Sequence, residues 1–158
     1  MLPVRVILHP TDFSEGSGCA FQLACSLARD YGARLVLIHV TPTVVVFVPF
    51  VTIPTEPLDI REKLLEQLAD LRSPDFNVSL EHHLKEGDPA TEILQFAQQI
   101  KCDLIVMGTH GRTGLGRLFL GSVAEQVLRK APCAVLTVKT PVAASSLKSD
   151  TRQETATV

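Results

Sequence analysis

The sequence predicts an open, doubly wound α/β fold, a parallel sheet with helices on both faces. Three observations lead there. Short β-rich apolar runs alternate with segments of helical period along the chain. The central runs are almost continuously apolar, as in strands covered on both faces. Repeated β-then-α units also require parallel strands joined by right-handed crossovers. No repeat of fixed period is visible, and 158 residues suit one domain, expected over 1–140.

The first strand is Val4 to Leu8, ending at His9-Pro10. Ser14 offers an N-cap, and Glu15 to Tyr31 carries Phe21, Leu23, Ala24, Leu27 and Ala28 at helical spacing before Gly32 stops it. Arg34 to Val40 is the second strand. A second helix is expected over Glu56 to Arg72, with Ile60, Leu64, Leu68 and Leu71 on one face. Asn77 to Lys85 reads as a third, more polar strand at a sheet edge. Asp88-Pro89 opens a third helix, buried through Ile93, Leu94, Phe96, Ala97 and Ile100. Asp103 to Met107 is the fourth strand, Ser122 to Lys130 the fourth helix and Cys133 to Val138 the fifth strand. The Ser-, Thr-, Ala- and Lys-rich segment 141–158 is expected to be a disordered tail.

Thr41 to Thr55 fits no element. It is long and apolar, is interrupted by Pro42, Pro49 and Pro54, and leaves the second strand at the end where ligands bind such sheets. Its apolar run 44–51 has two readings, a cover over the crevice or dimer contact and a surface for another protein.

Composition narrows the function. A net charge of -2 and a pI near 6.2 give no electrostatic reason to expect nucleic acid. The N-terminus lacks the basic start and apolar region of a signal peptide, and the longest apolar stretch is too short to span a bilayer. A cytoplasmic protein without membrane attachment is therefore expected. Cys19, Cys25, Cys102 and Cys133 form no Cys-x-x-Cys pair and read as small buried thiols in a reducing compartment. Adjacent His82 and His83 point to opposite faces of a strand, so no metal site is expected.

The chemistry concentrates in Gly108 to Ser122. Glycines let backbone amides approach a ligand, and Ser122-Val123-Ala124-Glu125 has the pattern of a capping box that starts a helix. Such a helix start favours an anion. The loop has no lysine, as a P-loop would need, and Phe119 stands where a dinucleotide fingerprint needs its third glycine. On mechanism alone, anion binding and a structural glycine turn both remain open.

Gly108-x-x-Gly111, nine residues, then Gly121-Ser122 resembles ATP-binding members of the universal stress protein family. So do Val106 to Arg112, Gly121 to Glu125, Pro10-Thr11-Asp12-Phe13-Ser14 and Ala131-Pro132-Cys133, and the likeness spans Val4 to Val138. The resemblance implies a five-stranded parallel sheet of order 3-2-1-4-5, with a crevice at the carboxyl ends of strands one and four. It also implies ATP as ligand, with a divalent metal such as Mg2+ left open, and a homodimer through the last strand, Val135 to Val138. Asp12, beside Pro10 and Thr11, would meet the adenosine, and the backbone around Val40 the adenine. Gly108, next to Met107, would hold phosphates and ribose with Gly111, Gly121 and Ser122, flanked by His110, Arg112 and Val123.

Rival readings stand beside these. Asp12 suits a helix start as well as a ligand contact, and Arg112 and Arg117 suit a solvated surface. His110 has no triad neighbours and receives no catalytic role. The protein reads as a nucleotide-binding regulator with an unidentified protein partner. The alternatives are a slow phosphate-transferring enzyme and a nucleotide-independent partner-binding module.

Overall fold

The computed structural model describes residues 3–43, 45–48, 51–54, 58–109 and 120–139. In chain order the elements are β1 (Val6–Pro10), α1 (Glu15–Tyr31), β2 (Arg34–Thr41), β3 (Val45–Val48), β4 (Val51–Pro54) and α2 (Leu58–Asp70). There follow β5 (Leu80–Glu86), α3 (Pro89–Gln99), β6 (Leu104–Gly108), α4 (Ser122–Lys130) and β7 (Ala134–Val138). Five strands form one parallel sheet in the order β5-β2-β1-β6-β7, the expected 3-2-1-4-5.

Alternation along each strand divides the core into two layers. Ile7, Leu35, Leu37 and Val106 face α1 and α2, packing with Phe21, Ala24 and Leu68. Leu8, Val36, Ile38, Ile105 and Met107 face α3 and α4, packing with Ile93, Phe96 and Val127. The central strands are buried on both sides, hence their unbroken apolar sequence. The more polar β5 lies at one edge, where Arg34 and Glu81 pair at 2.9 Å.

α1 runs over the expected residues. Ser14 Oγ accepts from Ser17 N, and Gly32 closes the helix at φ 62° in the left-handed region that glycine enters freely. Asp88 caps α3 by accepting from Thr91 N, with Pro89 in the first turn. β1 begins and ends two residues later than expected. Its register runs Val6 opposite Arg34 to Pro10 opposite Ile38, and a strand's last residue can be proline because the next amide, Thr11 N, carries the ladder on to Ile38 O at 2.9 Å.

Two expectations need correction. The segment after β2 is not a structureless loop, because β3 and β4 pair antiparallel with Val45 opposite Pro54 and Val48 opposite Val51. Pro42 falls outside both strands and Pro54 at the end of one, where no interior ladder donor is lost. In α2, Ile60 is 47% exposed rather than buried. This helix covers an edge strand, and Leu68 and Leu71 towards its end are what reach the core. No helix among the described residues is long and apolar enough to cross a membrane. The expected tail, 141–158, lies outside the described residues.

Candidate functional site

β1 and β6 are neighbours, and the chain leaves them toward opposite faces of the sheet. This switch in winding opens a crevice beyond their carboxyl ends. The turn from β1 to α1 forms one wall. Thr11 is held at both ends: its amide donates to Ile38 O, and its carbonyl lies 2.7 Å from His39 Nδ1, which must therefore be the donor. Its hydroxyl oxygen accepts from Ser17 Oγ at 2.9 Å and from Phe13 N at 3.2 Å.

Phe13 takes φ 62°, a left-handed conformation costly for an aromatic residue. Its ring packs on the His39 imidazole with centroids 4.5 Å apart. Asp12 precedes it, and Asp12 Oδ1 accepts from Ser14 N at 3.0 Å and from Ser14 Oγ at 2.6 Å. Asp12 thus contributes to the helix start, the rival reading of this residue, by fixing the serine that caps α1.

Beneath the turn lies His9, fully buried in a strand. Its Nδ1 donates to Val106 O at 2.8 Å, and its Nε2 is 3.5 Å from Ser17 Oγ. Burial lowers its pKa to about 4, against smaller raising contributions from the Val106 carbonyl and Asp12. The neutral ring joins β1, β6 and α1 under the crevice without placing a charge there.

The second wall is the return of the chain from β6 into α4. Thr109 N donates to Val138 O at 3.0 Å, and Gly121 N donates to Thr109 O at 2.8 Å. The glycine-rich loop therefore leaves and re-enters the fold at one hydrogen-bonded point. Gly121 is the N-cap of α4, with φ -62° and ψ 148°, and no side chain caps the helix. The expected capping box is thereby corrected. Ser122 already has helical backbone, so its exposed hydroxyl stands one position too late to cap. The first amides of α4 consequently receive no side-chain cap from their N-cap residue.

Gly108 has a packing role as well. Positive φ among the described glycines occurs at Gly32 and Gly87, not here. A Cβ on Gly108 would stand 3.0 Å from Gly16 C and 3.1 Å from Gly16 O, so the missing side chain lets β6 and α1 meet backbone to backbone.

The fold thus places Pro10, Thr11 and Asp12 at the carboxyl end of β1, Gly108 at that of β6 and Gly121, Ser122 and Val123 at the start of α4, with Met107 buried and Val123 packed on the same core layer. Val40 lies in β2 two residues past Ile38, where the β1 register ends, and pairs with Lys85 of β5. His110, Gly111, Arg112 and Arg117 lie outside the described residues. Among the described residues, no group of three or more His, Cys, Asp or Glu is placed to hold a metal ion. His9, Ser17 and His39 were not singled out for this role by the sequence. The available signal was a histidine inside an apolar strand, which must find partners when buried.

The chain matches the universal stress protein family over residues 3–139. It is 41% identical over 145 residues to a universal stress protein of Methanocaldococcus jannaschii, covering 87% of this chain and 83% of that one. Among solved structures, the hypothetical protein MJ0577 superposes with a TM-score of 0.71 at 26% identity, over 89% of this chain and 99% of that chain. A universal stress protein solved in complex with cAMP superposes at 0.64 with 27% identity, over 88% and 99%.

Proposed function

The chain belongs to the universal stress protein family, and we propose that it is an adenine-nucleotide-binding regulatory protein holding ATP in the crevice between the β1 and β6 loops. The observation that carries this reading is the hydrogen bond from Gly121 N to Thr109 O, which brings the start of α4, whose N-cap Gly121 has no capping side chain, to the carboxyl end of β6, next to β1 in the sheet. A similar family member was solved with a cyclic adenine nucleotide, which supports the ligand class.

In this reading Asp12, next to Pro10 and Thr11, contacts the adenosine, and the Val40 backbone borders the adenine. Gly108, Gly111, Gly121 and Ser122 hold phosphates and ribose, with Met107 beneath and His110, Arg112 and Val123 flanking. A Mg2+ ion bound chiefly by phosphate oxygens and water is compatible with a wall whose carboxylate is Asp12. Phosphoryl transfer needs cations and a group orienting the nucleophile. The loop has no lysine, so binding is favoured over turnover.

Denaturing freshly purified protein and identifying released nucleotide by chromatography and mass spectrometry tests the proposal. Adenine nucleotide released from the wild type, and missing from a folded Gly121→Val variant, is expected. No released nucleotide, together with no heat on titrating ATP with magnesium, would refute it.

A homodimer through β7 is part of the same proposal. β7 is a sheet edge, Leu136 is 37% exposed on it, and Leu128 on the neighbouring α4 is 51% exposed. Sedimentation should give a dimer that Leu136→Lys converts to monomer, and a monomeric wild type would remove this part.

A further inference from the structure

Cys102 and Cys133 are 31 residues apart in sequence, yet their Sγ atoms lie 3.0 Å from one another. Both belong to the core layer facing α3 and α4, so the two side chains project to one side of the sheet. Cys102 sits in the turn from α3 to β6. There Cys102 N donates to Ala97 O, and Asp103 Oδ2 accepts from Arg5 N and Val6 N at 2.8 and 2.9 Å. Cys133 sits in the turn from α4 to β7.

The sheet brings these turns together. β6 and β7 are parallel with Leu104 opposite Ala134, so the turns that enter them, two residues before Leu104 at Cys102 and one before Ala134 at Cys133, lie side by side. Both thiols are free, and they are unequal: Cys102 is buried and Cys133 half-buried. Burial and the adjoining Cys133 thiol push the Cys102 thiol upward in pKa, so Cys133 is the one that meets a solvent oxidant.

We propose that Cys102 and Cys133 are a redox modification site that a peroxide converts to a reversible intramolecular disulfide. Hydrogen peroxide oxidises the Cys133 thiol to a sulfenic acid and is reduced to water. The Cys102 sulfur then attacks the Cys133 sulfur, forming the S–S bond and releasing the sulfenic oxygen as a second water with the Cys102 proton. A small thiol reductant reverses the bond by exchange. The bond ties the entries of β6 and β7 together at the end of the sheet opposite the nucleotide crevice, and the inference is independent of nucleotide binding.

The test treats the purified full chain with hydrogen peroxide, alkylates the remaining thiols and maps the peptides by mass spectrometry. The expected result is a peptide linked through Cys102 and Cys133, with Cys19 and Cys25 recovered as free thiols. The intact chain should be lighter by two hydrogens, and dithiothreitol should restore it. In Cys133→Ser, Cys102 should stay free under the same treatment. Wild-type protein in which Cys133 ends as a free thiol or a sulfinic acid with Cys102 unlinked would overturn the proposal. Links spread equally over all four cysteines would do so too.

Discussion

Gly108 and Gly16 are in backbone contact: a Cβ on Gly108 would stand 3.0 Å from the carbonyl carbon of Gly16 and 3.2 Å from Ser17 N. This contact sets the distance between the β6 loop and the start of α1, hence between the two walls of the crevice. Neither side can yield by rotating a side chain. Gly108→Ala should cost about 1–3 kcal/mol of stability, as overpacking does, and should weaken ATP binding by widening the crevice. Urea unfolding and calorimetric titration measure the two effects, and an unchanged unfolding midpoint would show that the contact relaxes freely.

The Thr11 carbonyl receives the His39 Nδ1 proton at 2.7 Å, under the packed Phe13 ring. His39→Leu removes this donor and strands a buried carbonyl, for a loss of about 1–3 kcal/mol. Because Thr11 precedes Asp12, nucleotide affinity should fall with it. His39→Asn, which offers an amide donor, should recover part of both. Equal stability of the Leu and Asn variants in thermal unfolding would exclude the hydrogen bond as the cause.

His9 makes stability depend on pH. Its folded pKa, about 4, lies below the ordinary histidine value of 6.5, so between these values the unfolded chain binds more protons than the folded one. The contribution is fully present above pH 6.5 and is lost as pH falls to about 4. Two to three pH units correspond to about 3 kcal/mol. Urea unfolding at several pH values should show this slope in the wild type and a flatter one in His9→Gln, and identical slopes would remove His9 as the source.

Ser122 separates capping from binding. Its hydroxyl is exposed and the cap of α4 is Gly121. Ser122→Ala should therefore change stability by less than about 0.5 kcal/mol while reducing ATP affinity several-fold. Loss of stability on the scale of a missing cap, about 1 kcal/mol, would restore the capping-box reading.

Several elements were legible because their signals are local. Ser14, Gly32, Asp88 and Pro89 mark helix ends through their own backbone preferences, and the bounds of α1 follow. The apolar runs of β2 and β6 report burial on both faces. The β3–β4 hairpin was not legible, since prolines near a strand argue against it until their terminal positions are known. Asp12, Gly108 and Gly121 are legible through motif resemblance alone, and the structure places them after β1, at the end of β6 and at the start of α4.

The sequence by itself determined the four helices, the five strands of the parallel sheet and which loop is rich in glycine, because periodicity and capping act over a few residues. The tertiary structure decided that Gly108 is needed for Gly16, that Gly121 rather than Ser122 begins α4, and that His9 and His39 brace the Asp12 turn. It also decided that Cys102 meets Cys133. These relations join residues distant in the chain, and only the parallel register of β1, β2, β6 and β7 brings their atoms within contact of one another.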